Sequence, residues 1–260
     1  MRWGHAPTSG RCPHPLVGES GAIKPALVLT AHGSKDPRSR ANARAVADEV
    51  VRLRPNLDVR LAFLEHSSPS LADVLTALDG PAVVTPLLLA NAYHARVDIP
   101  AQIANCVTAQ QVWQAPVLGE DDRLVSVLRR RVTELGVSHL DDSVGVLVVA
   151  IGTSDLAMNA RTGRVAPKLL AGTSWAGATT TFATQQERSL SEALGRLRRQ
   201  HAQRVVVAPW FLAPGLIPDR VQRFAAKAGI EMAAPLGAHR LVAETVLDRF
   251  AAATADQIAA

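Results

Sequence analysis

Short apolar runs alternate with segments of helical periodicity along most of the chain. Apolar residues recur at three- and four-residue spacing over residues 38–53, which predicts an amphipathic helix that Pro55 ends. Further helices are predicted over residues 70–78 and 124–135, and strands over residues 26–31, 59–63, 82–89 and 112–115. Strands that alternate with helices predict an α/β fold with a parallel sheet.

The same pattern returns in the second half of the chain. His32-Gly33-Ser34 follows the first apolar run, and Ile151-Gly152-Thr153 follows a similar run at an offset of 119 residues. Later matches keep the same order, with offsets between 117 and 123. We therefore predict two similar α/β domains, residues 25–143 and 144–260, each a parallel sheet flanked by helices. Residues 1–24 have no apolar periodicity, and we expect them to form a flexible tail.

Three residues of the first half carry side chains that bind metals, and each follows a different predicted strand. His32 comes directly after the first strand, Glu65 lies just beyond the second, and His94 follows the third. Because ligands bind at the carboxyl ends of parallel strands, we expect these side chains to converge there. Two imidazoles and a carboxylate suit Fe²⁺, Co²⁺, Ni²⁺ or Zn²⁺. If the strand geometry persists to His66, this residue is expected to point away from Glu65, because neighbouring strand residues face opposite sides.

The repeat provides an internal comparison for these three positions. The second half has Ile151, Thr184 and Ile217 in place of the two histidines and the glutamate, while its glycines, prolines and strand patterns persist. A structural role shared by both halves does not predict that all three polar side chains vanish together. We infer that the first half has an active site and that the second half has lost its own.

Charge and composition limit the classes of partner. The 260-residue chain has a formal net charge of +5, and residues 145–260 hold 13 basic against 8 acidic residues, which favours an anionic ligand. Aromatic residues make up only 4% of the chain, so nucleic-acid binding is not expected. No apolar run reaches the length of about 18 residues that a membrane helix needs. Two distant cysteines argue against a disulfide framework or a thiolate zinc site and fit a cytoplasmic protein.

Four segments resemble the class II tetrapyrrole chelatases, the group of the sirohydrochlorin cobaltochelatases and ferrochelatases. The segments are LVLTAHGSKDPRS (27–39), FLEHSSPSL (63–71), VVTPLLLANAYHARVDIP (83–100) and, in the second half, VVVAPWFLAPGLIPDRV (205–221). The second half departs from the family pattern at IGTSD, where the motif histidine is absent. The resemblance covers nearly the whole chain from residue 26 onward and implies the long, two-domain form with one complete site.

The resemblance implies a lyase that inserts a divalent metal into sirohydrochlorin in siroheme or cobalamin biosynthesis. Fe²⁺ is the favoured metal and Co²⁺ the alternative. His32, Glu65 and His94 are then both metal ligands and catalytic groups, because a neutral imidazole can bind the metal or accept a proton, and a carboxylate can accept a proton or orient a histidine. No ATP or organic cofactor is implied, and the chain lacks a Walker motif. A monomer and a homodimer both remain open, since one chain already supplies two lobes.

Polar residues beside the motifs are candidates for binding the carboxylates of the macrocycle. Arginine pairs bidentately with carboxylates, and the backbone N–H groups after Gly33 can meet an anion at a helix start. The candidate substrate-binding residues are Ser34, Arg38 and Arg96 in the first half, and Arg161, Arg164 and Arg220 in the second.

Two other classes of function remain open. A non-catalytic carrier of a tetrapyrrole or a metal would bind its ligand without turnover. An interaction protein built on a doubled α/β scaffold would be indifferent to substitution of His32 or His94. An insertion assay, together with those two substitutions, distinguishes the three hypotheses.

Overall fold

The computed structural model describes residues 24–106, 111–184 and 187–258, so that the expected tail, apart from Lys24, lies outside the described residues. The first half contains β1 (Ala26–Ala31), α1 (Pro37–Leu53), β2 (Val59–Phe63), α2 (Leu71–Thr76), β3 (Ala82–Pro86), a π-helical turn (His94–Asp98), α3 (Ile99–Asn105), β4 (Val112–Gln114) and α4 (Asp122–Thr133). The second half contains β5 (Val144–Ala150), α5 (Leu156–Thr162), α6 (Val165–Leu170), β6 (Gly177–Phe182), α7 (Glu187–Arg199), β7 (Arg204–Pro209), α8 (Leu216–Lys227), β8 (Glu231–Met232) and α9 (Arg240–Ile258). No helix within the described ranges is both long and apolar enough to cross a lipid bilayer.

Each half forms a four-stranded sheet in which all strands are parallel. The strand order is β2-β1-β3-β4 in the first half and β6-β5-β7-β8 in the second. The first strand of each half is therefore internal, and both β1 and β5 are buried along their whole length. Strands buried on both faces are typical of parallel sheets covered by helices. The predicted fold of two parallel α/β halves is confirmed.

Two differences from the predicted elements lie close to the site. β3 ends at Pro86 rather than at residue 89, although the N–H of Leu87 still donates to the carbonyl oxygen of Thr30 in β1 and Leu87 packs in the core. The π-helical turn and α3 were not predicted. The π-helical turn has only five residues, too few for a helical period to be visible in the sequence.

Aspartate caps set the starts of the two helices that follow the first strand of each half. Asp36 caps α1, where its carboxylate accepts a hydrogen bond from the N–H of Arg38 at 2.9 Å and Pro37 occupies the first helical position. Asp155 caps α5 in the same way, accepting from two backbone N–H groups of the first turn. The loops after β1 and β5 therefore leave their sheets along matching paths.

The last helix of each half packs on the other half. α4 contacts β7 and α6, and α9 contacts β3 and α1. One apolar cluster consequently runs through both halves and includes Leu128 of α4 and Val246 of α9. This exchange of helices joins the two sheets through a shared core.

A charged network lies at the junction of α4 and α9. The carboxylate of Asp121 accepts hydrogen bonds from Arg123 at 3.0 Å and from Arg249 of α9 at 2.8 Å. Burial acts to raise the pKa of Asp121, but the two guanidinium groups outweigh burial and lower this pKa to about 2. Ionised Asp121 therefore contributes to holding the halves together.

Candidate metal centre

The structure brings His32, Glu65 and His94 together at the carboxyl edge of the first sheet. One ligand atom from each side chain lies within 4.8 Å of the other two. The rings of His32 and His94 are 4.2 Å apart between centroids and are tilted by 35°. The side chains of His94 and Glu65 are 37% and 44% exposed, so a cation can enter the cluster from solvent. The donor set fits a divalent transition metal.

Hydrogen bonds between the loops after β1 and β2 hold His32 and Glu65, the first two candidate ligands, side by side. The N–H of Glu65 donates to the carbonyl oxygen of His32 at 2.9 Å. Ser67 Oγ accepts from the N–H of Ser34 at 3.3 Å and donates to the Ser34 carbonyl oxygen at 3.1 Å. Gly33 has a φ of +90°, and a Cβ at this position would lie 1.7 Å from the carbonyl oxygen of Glu65. Glycine is therefore required for the two loops to approach this closely.

The π-helical turn presents the third ligand. The N–H of Ile99 donates to the carbonyl oxygen of His94, and both Ala95 and Ile99 are buried beneath the turn. Pro100 has no N–H to offer to the carbonyl oxygen of Ala95, and Gln114 Nε2 donates to that oxygen at 2.7 Å instead. π-helical turns are frequent at functional sites. Here the turn directs the imidazole toward the other two ligands.

The environment of His32 favours its neutral form. Burial lowers the pKa of His32 from its ordinary value, and the nearby imidazole of His94 lowers it further, while Glu65 acts in the opposite direction. The Nδ1 atom of His32 is buried and has no hydrogen-bond partner among the described residues. A neutral imidazole keeps a lone pair that can bind a cation or accept a proton.

The strand does not continue to His66, so the condition for opposite side-chain directions is not met. The Nε2 atom of His66 lies 3.2 Å from Oε2 of Glu65 rather than on the opposite side of the sheet. β2 ends at Phe63, and His66 has a φ of +55°, so strand alternation no longer applies where the two side chains lie. The Ser-Ser-Pro sequence that follows His66 was the signal that the chain had already entered a turn.

The second half repeats this framework without its ligands. The N–H of Thr184 donates to the carbonyl oxygen of Ile151 at 3.0 Å, just as Glu65 donates to His32. Gly152, which follows Ile151 as Gly33 follows His32, has a φ of +85°. Ile151 and Thr184 thus occupy the backbone positions that correspond to His32 and Glu65, in agreement with the repeat seen in the sequence.

Ion pairs connect the carboxyl edges of the two sheets. Arg38, in the first turn of α1, pairs with Asp219 of α8 at 2.6 Å. Arg96, in the π-helical turn, pairs with Asp155 at the start of α5 at 3.1 Å. All four residues follow the carboxyl end of a strand, so the two edges face each other. The cluster of His32, Glu65 and His94 lies on the first-half side of this junction.

A comparison with known families recovers the same two halves. The CbiX family model matches residues 26–135 and 145–253, one match in each half. The chain belongs to the CbiX family. The resemblance to the sirohydrochlorin chelatases, in the long form with two repeats, is thereby confirmed.

This CbiX-family chain is similar both to chelatases of comparable length and to chelatases of about half its length. It is 28% identical to the sirohydrochlorin ferrochelatase of Priestia megaterium over 207 residues, which is 76% of each chain. It is 27% identical over 122 residues to the sirohydrochlorin cobaltochelatase of Methanosarcina barkeri, a match that covers 42% of this chain and 94% of that protein. The structure of SirB from Bacillus subtilis with Fe³⁺ has the same fold, with a TM-score of 0.79 at 20% identity over 91% of this chain and 98% of that one.

The remaining predicted substrate-binding residues of this CbiX-family chain differ in their surroundings. Ser34 exchanges backbone hydrogen bonds with the Ser67 side chain, which join the loops after β1 and β2. Arg161 of the second half donates from Nε to Glu120 of the first half at 2.8 Å, so this pair connects the halves. The Glu120 side chain is only 9% exposed. Arg220 donates to a backbone carbonyl of the loop after β6. Arg164 is exposed and has no side-chain hydrogen bond or ion pair with the part of the chain that the structure describes.

Proposed function

We propose that the protein inserts a divalent metal ion into sirohydrochlorin without ATP, with Fe²⁺ as the favoured metal and Co²⁺ as the alternative. In this reaction the metal enters the macrocycle and two pyrrole N–H protons leave, so that charge and atoms balance. With Fe²⁺ the product is siroheme, and with Co²⁺ it is an intermediate of cobalamin biosynthesis. The names of the relatives, which are ferrochelatases and cobaltochelatases, support this substrate class and both metals.

One observation carries the proposal. Metal-binding side chains occupy three strand-end positions in one half of a duplicated fold, while the other half keeps the same backbone with Ile151 and Thr184 in two of these positions. The framework therefore folds without the ligands, and His32 and Glu65 are not needed for its geometry. Side chains that a fold does not need, yet brings within 4.8 Å of one another, support a role in chemistry.

The cluster supplies what metal insertion requires. Neutral His32, together with His94 and Glu65, binds the incoming ion. When the ion passes to the four nitrogens of the macrocycle, the freed imidazoles accept the departing pyrrole protons. Glu65 is partly exposed and contacts His66, so this pair offers those protons a path to solvent. Three accessible ligands suit an ion that must be released rather than kept.

Exposed apolar side chains support binding of a flat macrocycle between the facing carboxyl edges of the two sheets. Of the seven large hydrophobic side chains that the described residues expose, five follow the carboxyl ends of β3, β5 or β7: Tyr93, Val97, Ile151, Leu156 and Leu216. Apolar surface concentrated at one edge is typical of a binding site. We expect these side chains to pack against the faces of the ring, with Ile151 opposite the metal-ligand cluster.

Arginines at these two edges can bind the carboxylates of the macrocycle in place of the aspartates that they now contact. Arg38 is held by Asp36 and Asp219, and Arg96 by Asp155, in partly exposed ion pairs, which are typically weak. A substrate carboxylate can therefore replace one of these aspartates at little cost. Arg164 has no partner to displace among the described residues.

An anaerobic insertion assay tests this function. The purified protein is mixed with sirohydrochlorin and either Fe²⁺ or Co²⁺, without ATP, and metallation is followed by the absorbance of the macrocycle. We expect multiple turnovers, faster with Fe²⁺, that are lost in His32→Ala and kept in His139→Ala, which removes an exposed histidine outside the cluster. Metallation no faster than in the absence of protein, with either metal, contradicts the proposal. Binding of one equivalent without turnover identifies a carrier instead.

A further inference from the structure

We propose that Asp98 is a positioning residue that fixes the tautomer and orientation of His94, so that the Nε2 lone pair of this imidazole faces the metal substrate. The inference rests on the proposed function and deepens it, since it adds a residue that acts on the metal through His94. Neither the sequence motifs nor the ligand set assigned this role to Asp98.

The contact between the two side chains is short and specific. Nδ1 of His94 lies 2.5 Å from Oδ2 of Asp98, which is closer than the distance of about 2.7–2.9 Å usual for such a hydrogen bond. Among the described residues, Asp98 is not a member of the metal-ligand cluster, which contains only His32, Glu65 and His94. Asp98 therefore contacts a ligand without lying in position to bind the same ion.

The chemistry of the contact determines where the proton lies. An ionised carboxylate only accepts hydrogen bonds, and a neutral imidazole carries one proton. The bond to Asp98 therefore requires the proton of His94 to be on Nδ1, which leaves the lone pair on Nε2. Metal-binding histidines commonly donate their other ring N–H to a carboxylate, which orients the ring and strengthens its donor nitrogen.

The π-helical turn makes this contact part of the rigid structure. His94 and Asp98 are its first and last residues, so both side chains are carried by the same turn. Ala95 and Ile99, which are buried, anchor the turn in the core, and the side chain of Gln114 holds the carbonyl oxygen of Ala95. One anchored turn therefore carries both the imidazole and the carboxylate.

The two imidazoles of the cluster are consequently not equivalent. His94 has its tautomer set by Asp98, whereas the buried Nδ1 of His32 has no partner among the described residues. An oriented imidazole with a carboxylate partner is the better metal ligand. We expect His94 to make the larger contribution to affinity for the incoming ion, and this contribution to depend on Asp98.

Nuclear magnetic resonance of the unaltered full chain tests the tautomer directly. Protein labelled with ¹⁵N in histidine is studied at a pH where its imidazoles are neutral, and long-range ¹H–¹⁵N correlations distinguish a proton on Nδ1 from one on Nε2. The His94 signals are assigned by their loss in His94→Gln. We expect the Nδ1–H tautomer for His94, and an Nε2–H tautomer overturns the proposal.

Metal affinity tests the consequence. Co²⁺ alone serves as the probe, and its visible absorption bands report binding to Asp98→Ala, Asp98→Asn and Asp98→Glu. Loss of such a carboxylate partner typically weakens metal binding about 10–100-fold, so we expect this loss in the alanine and asparagine variants and partial recovery in the glutamate variant. The control is Asp58→Asn, which removes an exposed carboxylate paired with Arg60 at 2.7 Å, at the opposite end of β2.

The outcomes separate this inference from the proposed function. Unchanged Co²⁺ affinity in folded Asp98→Ala, or an equal loss in Asp58→Asn, overturns the role of Asp98 even if insertion is efficient. If the wild-type protein binds Co²⁺ and Asp98→Ala weakens that binding, the role of Asp98 stands even if no insertion is detected. If thermal unfolding indicates that the variants do not fold, the tautomer of His94 in the wild-type protein decides the question.

Discussion

Gly33→Ala tests whether the approach of the loops after β1 and β2 creates the metal centre. The new Cβ would lie 1.7 Å from the carbonyl oxygen of Glu65, whereas real Cβ atoms do not approach closer than 3.0 Å. The two loops must therefore separate by about 1.3 Å, and His32 and Glu65 move apart with them. A displacement of about 1 Å in a catalytic arrangement can cost about 10²-fold in rate. We expect a loss of that size in kcat/KM for metal insertion.

Gly152→Ala is the matched control in the half that lacks ligands. Gly152 has a φ of +85°, close to the +90° of Gly33, and its Cβ would also be crowded, at 2.6 Å from Oγ1 of Thr184. Positive φ at alanine costs about 1–3 kcal/mol in either position. Both variants should therefore unfold at lower temperature, by about 2–4 °C for each kcal/mol. Only Gly33→Ala should lose insertion and Co²⁺ binding.

The assay compares insertion rate, Co²⁺ affinity and thermal unfolding for the two variants side by side. The reasoning is refuted if Gly33→Ala inserts metal at nearly the wild-type rate. It is also refuted if Gly152→Ala loses as much activity at the same stability, because the effect would then come from general weakening of the fold rather than from the geometry of the centre.

Three further predictions follow from the same structure. His32→Ala and His94→Ala should each lower the insertion rate about 10²–10⁴-fold without changing the melting temperature by more than a few degrees, and near-normal turnover in either contradicts its assignment. Ile151→His combined with Ile217→His should still bind one equivalent of Co²⁺ by titration, because the carboxylate is also missing from that half. Asp121 has a folded-state pKa of about 2 against 3.8 in the unfolded chain, so its ionisation contributes about 2 kcal/mol above pH 4, which is lost as pH falls toward 2. Asp121→Asn should reduce the acid-dependent part of the unfolding free energy by that amount, and an unchanged pH profile contradicts this.

The sequence by itself determined the strands and identified the three candidate ligands. Nearly continuous apolar runs such as Ala26–Ala31 are typical of strands that are buried on both faces. Their alternation with helices then indicates a parallel sheet. Parallel strands end at one edge, which is why His32, Glu65 and His94 could be expected to meet without a structure. The duplication sharpened that expectation, since it provided a second copy of the same framework in which the ligands are absent.

Features that depend on how the chain leaves a strand were less visible in the sequence. Strand alternation predicts opposite directions for Glu65 and His66, but β2 ends at Phe63 and the turn brings the two side chains together. Asp98 is similar, because its hydrogen bond to His94 depends on a π-helical turn that five residues are too few to reveal as a period. A change of a few residues in where an element ends redirects every side chain beyond that point.

Contacts between the halves were decided only by the tertiary structure. Arg38 and Asp219 are 181 positions apart, and nothing in the local sequence of either residue indicates that they pair. The same holds for α4 and α9, each of which packs on the sheet of the other half. An amphipathic helix specifies that its apolar face will be buried, but not against which surface. That choice follows from the fit of the whole core, and it places the two strand edges face to face around the metal centre.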